Sequence, residues 1–216
     1  MTEFNLGDFS CRAECIGEKP AALVLLFSGF EEELFRDICN ILSGGNRPLV
    51  LAEFGAIDWD NDYTPWEAEG FGGRHFGGGA ERLMNFIPEF TAELEKRFGK
   101  FTKIYYCGYS LGGLFALYAA GMNENVAGAA SCSGSMWYPK WTEYLAQHPL
   151  RGRIYLSLGG KERNSPDPLM ASIETKTAEA KHIAERTAEV IFVHEKGGHF
   201  SRIPERLSRG ITALLT

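Results

Sequence analysis

Residues 103–113 read Lys103-Ile104-Tyr105-Tyr106-Cys107-Gly108-Tyr109-Ser110-Leu111-Gly112-Gly113. The stretch up to Cys107 has the β-branched and aromatic character of a strand. Leu111 to Gly121 is rich in Leu and Ala and predicts a helix. Between them lies Gly108-x-Ser110-x-Gly112. A G-x-S-x-G sequence joining a strand to a helix predicts a sharp, strained turn with a serine at its apex. The flanking glycines remove Cβ atoms that would clash, so the Ser110 hydroxyl stands exposed at the head of the helix. The Leu111 N–H then points into the same space and is a candidate oxyanion donor. A plain turn in a glycine-rich chain is the competing reading, and the flanking strand and helix patterns weigh against it.

The pattern repeats outward from this segment. Residues 3–17 read as a two-stranded hairpin turning near Gly7-Asp8. Ala21–Phe27, Pro48–Phe54, Val126–Cys132, Arg153–Leu158 and Val190–His194 are apolar runs of strand length. Helical periodicity falls at Glu31–Leu42, then in a segment ending at Phe98 where Pro88 marks an early turn or kink, then at 169–188 and 203–215. Residues 55–79 form a long connection without periodicity. No linker, repeat or low-complexity break interrupts the chain. Alternating strands and helices imply right-handed crossovers and a mostly parallel, doubly wound sheet. The expected architecture is a single α/β domain over residues 1–216, with an N-terminal antiparallel hairpin and no separate cap domain.

Ligands of such sheets bind beyond the carboxyl ends of the strands, so the residues after each strand are the ones to search. A serine nucleophile needs a base, and in this kind of fold the order is Ser, acid, His. Of the five histidines, His199 lies on a loop just after the strand ending at His194, in Glu195-Lys196-Gly197-Gly198-His199-Phe200. It is the favoured base, with His194 the alternative. His75, upstream in a Gly-rich loop, reads as lining or solvated. For the acid, the loop after Arg153–Leu158 offers Glu162, nearer the strand end, and Asp167, which could instead cap the next helix. The loop Ser28-Gly29-Phe30 after Ala21–Phe27 predicts a second oxyanion donor, the Phe30 N–H. Trp66, Met136 and Trp137 are candidates for the substrate-binding walls.

Several chemistries are set aside. His194-Glu195-x-x-x-His199 is one residue too long for the zinc motif H-E-x-x-H, and Gly197-Gly198 would break its helix. Cys11 and Cys15 share a strand face but lack two further ligands at comparable spacing, so no metal is expected. The run from Gly70 to Gly79 has no Gly-Lys-Ser/Thr and reads as a mobile lid-side loop rather than a nucleotide cradle. A net charge of −6 argues against nucleic acid. No apolar run approaches the roughly 20 residues of a membrane helix. An odd, scattered set of five cysteines and the absence of a secretion signal predict a cytoplasmic protein.

Gly108–Gly113, Gly160-Lys161-Glu162 and Gly197-Gly198-His199-Phe200, with Asp60–Trp66 and Gly77–Ala80, resemble the esterase D and ferric enterobactin esterase-like family of α/β-hydrolases over roughly residues 20–210. The resemblance implies ester or thioester cleavage through an acyl-enzyme, on a small-molecule acyl ester, with no cofactor. It also favours Glu162 over Asp167. It leaves two other outcomes open: an acyltransferase built on the same three residues, and a ligand-binding protein that keeps only the fold. The chain is shorter than the larger members and lacks an evident basic cluster for a highly anionic ferric siderophore. Little length remains for a lid, so an open pocket is expected.

Overall fold

The computed structural model describes residues 1–216. Strands β1 (Thr2–Leu6) and β2 (Phe9–Ile16) form the antiparallel hairpin, turning at Gly7-Asp8. The chain continues through β3 (Ala22–Phe27), α1 (Glu32–Ser43) and β4 (Leu49–Phe54). The connection that shows no periodicity is not structureless. It holds the short α2 (Trp59–Asp62) and a small hairpin of β5 (Glu67–Glu69) and β6 (His75–Gly77). Strands of three residues are too short to produce a readable alternation. Glycines 77–79 are explained by packing: a Cβ on Gly77 or Gly79 would strike the Asn61 side chain, and one on Gly78 the backbone of Trp66 and Glu67.

Helix α3 (Ala80–Phe98) follows and continues through Pro88. Next come β7 (Lys103–Tyr109), α4 (Leu111–Met122) and β8 (Val126–Cys132). A short α5 (Trp141–Gln147), which the sequence reading did not anticipate, precedes β9 (Arg153–Gly159). The helical region expected at 169–188 is divided at Ser172 into α6 (Pro168–Ala171) and α7 (Ile173–Ala184). The chain closes with β10 (Glu189–Glu195) and α8 (Ile203–Leu214).

The main sheet has eight strands in the order β1-β2-β4-β3-β7-β8-β9-β10. From β4 to β10 every pairing is parallel, and β2 joins β4 antiparallel. The order reverses at β3, and the chain reaches β7 next to it, so the strand ends around β3 and β7 form the crevice where such sheets bind ligands. Helices cover both faces. Leu83, Phe86 and Phe90 of α3 pack on one side with Leu114 and Phe115 of α4. Phe35, Ile38 and Leu42 of α1 join Leu207, Ile211 and Leu214 of α8 on the other. Helix α4 is buried on nearly all sides, in keeping with its uniformly apolar sequence. No helix is long and apolar enough to cross a membrane.

Candidate active site

Ser110 joins β7 to α4 with φ 56° and ψ −122°, a conformation that side-chain-bearing residues rarely hold. Its neighbours show why the turn demands glycine. A Cβ on Gly108 would lie 2.1 Å from the Gly112 carbonyl oxygen, and one on Gly112 would lie 2.2 Å from that of Phe27. The Ser110 N–H donates to the Cys132 carbonyl, which anchors the turn to β8. Leu111 opens α4, where first-turn N–H groups have no acceptor within the helix.

The His199 ring reaches this serine from the loop after β10, with Nε2 3.2 Å from the Ser110 Oγ. Its Nδ1 lies 2.8 Å from Oε2 of Glu162, in the turn after β9. The other carboxylate oxygen, Oε1, accepts from the Gly159 N–H and the Ser133 hydroxyl, both at 2.7 Å. Burial alone would raise the Glu162 carboxyl. The hydrogen bonds from His199, Ser133 and Gly159 outweigh it and hold the group below its ordinary value. Arg206 lies behind the carboxylate, 3.4 Å from Oε1 and almost fully buried. Asp167, the other acid candidate, accepts from the N–H groups of Leu169 and Met170 and caps α6. His194 is exposed on the edge strand, and His75 stands in solvent beside Glu69. The structure therefore brings Ser110, His199 and Glu162 together and separates the alternatives from them.

Three of the other expected residues lie elsewhere than predicted. The Phe30 N–H donates to the Ser28 hydroxyl at 3.2 Å, and the Phe30 ring sits 3.8 Å from the Arg12 guanidinium. In that turn Ser28 and Gly29, not Phe30, line the cleft. Trp66 does not line the cleft: its indole N–H donates to the Pro139 carbonyl and its ring packs on Tyr138 and Tyr144. Met136 points into the core and is 1 % exposed. Trp137, the third wall candidate, does line the cleft.

The cleft has a volume of about 800 Å³. Ser110, Leu111 and His199 share it with the aromatic rings of Trp59, Phe71, Phe76 and Trp137. Phe71 and Phe76 come from the small hairpin, so the segment read as a lid-side loop forms one wall of the cleft. Phe200 stands on the rim, 85 % exposed. Arg74 and Arg202 also border the cleft, and each already faces a carboxylate, Asp60 and Glu205 respectively.

A second buried network lies beneath Ser28. The Ser28 hydroxyl donates to Glu53 Oε2 at 2.5 Å, and the Arg12 Nε lies 3.1 Å from Oε1, close enough for charge pairing. Burial nevertheless pushes the Glu53 carboxyl up to about 7, against the lowering pull of Ser28 and Arg12. Arg12 also donates to the Phe30 carbonyl at 2.6 Å. The sequence reading missed this network and Arg206. Each arginine could have been noticed as a charge inside an apolar pattern, on a strand between Cys11 and Ala13 or on the inner face of an amphipathic helix.

Sheet order, serine turn and strand-end cleft define the class: the fold is that of the α/β-hydrolases. Comparison with solved structures agrees with it. An IroE-like serine hydrolase from Shewanella oneidensis superposes with a TM-score of 0.79 at 14% identity, covering 96% of this chain and 75% of that one. The siderophore hydrolase EstB from Aspergillus nidulans gives 0.80 at 16% identity, covering 99% and 94%. The BES protein from Bacillus cereus gives 0.69 at 20% identity, covering 96% and 89%. At these identities the likeness is one of fold. No protein-family model and no curated protein matches the sequence.

Proposed function

We propose that the protein is a serine hydrolase that cleaves small carboxylic esters through an acyl-enzyme, acting as one catalytic domain over residues 1–216. The observation that carries the reading is the hydrogen-bonded chain from buried Glu162 through His199 to Ser110, ending on a strained turn in an aromatic-walled cleft. His199 takes the Ser110 proton as Oγ adds to the acyl carbonyl, and Glu162 holds the imidazole in the tautomer that leaves Nε2 free to accept it. The Leu111 N–H and the Ser28–Phe30 turn supply the oxyanion donors, with Gly29 taking the place first assigned to Phe30 because it faces the cleft. His199 then protonates the leaving alcohol, and a water activated by the same imidazole releases the acid and restores Ser110.

The aromatic lining favours esters with an aromatic or apolar group. Two of the similar folds are named siderophore hydrolases, but the arginines bordering this cleft are already paired with carboxylates. That arrangement favours an uncharged ester over a highly anionic ferric complex. All five cysteines are unpaired thiols, which supports placement in a reducing compartment. The test is a panel of p-nitrophenyl esters of increasing chain length, with matched anionic and neutral aryl esters, run beside Ser110→Ala. Turnover of neutral esters that disappears in Ser110→Ala is expected. Equal rates in wild type and variant would overturn the proposal.

A further inference from the structure

The Arg206 side chain sits in the first turn of α8, 1 % exposed, beneath the three residues just described. Its Nη1 donates to the Ser133 Oγ at 2.7 Å, and the Ser133 hydroxyl in turn donates to Glu162 Oε1 at 2.7 Å. The same nitrogen lies 3.4 Å from Oε1 itself and 3.5 Å from the Tyr109 hydroxyl, next to Ser110 in the chain. Its Nη2 donates to the carbonyls of Gly198 at 3.0 Å and Lys196 at 3.2 Å, in the loop that carries His199. One guanidinium therefore touches the acid, the loop of the base and the residue before the nucleophile.

The fit is tight on the opposite side as well. A Cβ on Gly159 would meet the Arg206 Nη2 at 2.9 Å and Glu162 Oε1 at 2.7 Å, so a side chain there would displace both groups. Planar geometry matters here. Arginine presents its donors as a rigid fork, whereas a lysine offers one compact charge on a flexible stem and cannot span Ser133 and Gly198 together. A buried ion pair is weak evidence of a stabilising role, because desolvation offsets much of the attraction. Stability alone is thus a poor account of a buried arginine whose contacts converge on one carboxylate and one loop.

We propose that Arg206 is a positioning residue for the proton relay: it fixes Glu162 Oε1 through Ser133, which leaves Oε2 aimed at His199, and it fixes the His199 loop through the Gly198 and Lys196 carbonyls. It does not touch substrate. The proposal rests on the hydrolase reading for its kinetic consequence and on geometry alone for its spectroscopic one.

The test uses the full chain as Arg206→Lys and Ser133→Ala, with two readouts. The first is steady-state kinetics on a neutral p-nitrophenyl ester. The second is the downfield proton resonance of the His199 Nδ1–H bonded to Glu162. A loss of alignment on the scale of an ångström at the reacting atoms lowers rate by roughly 10–100-fold. Arg206→Lys should show that loss in kcat with KM unchanged, and the resonance should be lost or shifted. Ser133→Ala, which removes one hydroxyl and keeps the arginine, should move both readouts in the same direction by less. Wild-type kcat and an unchanged resonance in folded Arg206→Lys overturn the proposal. Should Arg206→Lys fail to fold, the same wild-type behaviour in Ser133→Ala overturns it. A wild-type protein that turns over no ester contradicts the hydrolase reading instead, and the resonance still decides the role of Arg206.

Discussion

Replacing Gly112 by Ala probes the link between the fold and the proposed chemistry. The added Cβ would lie 2.2 Å from the Phe27 carbonyl oxygen and 3.0 Å from its carbonyl carbon. An unstrained contact needs about 3.5 Å, so α4 and the end of β3 must separate by roughly 1 Å. Both atoms belong to backbone, so no side-chain rotation relieves the clash. Overpacking of this kind costs about 1–3 kcal/mol. The separation falls between the head of α4, which carries Ser110 and Leu111, and the turn at Ser28–Phe30, the two proposed suppliers of oxyanion donors. A misplacement of this size lowers rate by on the order of 10². Gly121→Ala is the matched control in the same helix. Its Cβ meets nothing closer than 3.6 Å, and a tolerated Gly→Ala change stabilises by about 0.4–1 kcal/mol. Urea melts and the rate of ester turnover measure both variants. Gly112→Ala should lose stability and activity while Gly121→Ala loses neither. A Gly112→Ala protein with the wild-type midpoint and rate would refute the reasoning.

Further outcomes follow from other parts of the molecule. Trp137→Ala should raise KM for aromatic esters with little loss of kcat, whereas Trp66→Ala should lower the melting temperature and leave KM unchanged, because Trp66 packs against Tyr138 and Tyr144 outside the cleft. Glu162→Gln should reduce turnover by on the order of 10⁴ by favouring the wrong imidazole tautomer, and steady-state kinetics on folded protein checks it. The two buried carboxylates should give pH dependences of opposite sign. Glu162 is held below its ordinary value of 4.5, so its contribution is present above that pH and lost as pH falls through its lowered value. Glu53 is raised from 4.5 to about 7, so its contribution is fully present below 4.5 and lost as pH rises through 7. Chemical melts of wild type against Glu53→Gln should therefore show wild type losing ground from pH 4.5 to above 7. A pH-independent difference would contradict that assignment.

What could be read from the sequence is what short-range sterics dictate. Gly108 and Gly112 admit no other residue at the serine turn, so the turn announces itself in five consecutive positions. Glu162 and His199 were legible because strand ends are marked by apolar runs, and the sheet gathers those ends at one edge. Asp167 was open to two readings, triad acid or cap of the next helix, and the cap is the role it has. Orientation was not legible. Trp66, Met136 and Trp137 all follow turns or strand ends, yet one packs outside the cleft, one faces the core and one faces the cleft. Residue type does not say which way a loop side chain turns. The Phe30 N–H was diverted by Ser28, two residues earlier, a local hydrogen bond that sequence spacing permits without requiring. Arg206 left only a faint trace, a charge on the otherwise apolar face of α8. A charged residue on a surface helix ordinarily reads as solvated, and only the tertiary meeting of α8 with the ends of β7, β8 and β9 buries it.

The central claim is that Ser110 is an activated nucleophile. A fluorophosphonate forms a stable adduct with such a serine, and peptide mapping by mass spectrometry locates it. Folded wild-type protein should carry one adduct, on Ser110, and His199→Ala or unfolded protein should carry none. Folded wild type that stays unlabelled at Ser110 would contradict the account.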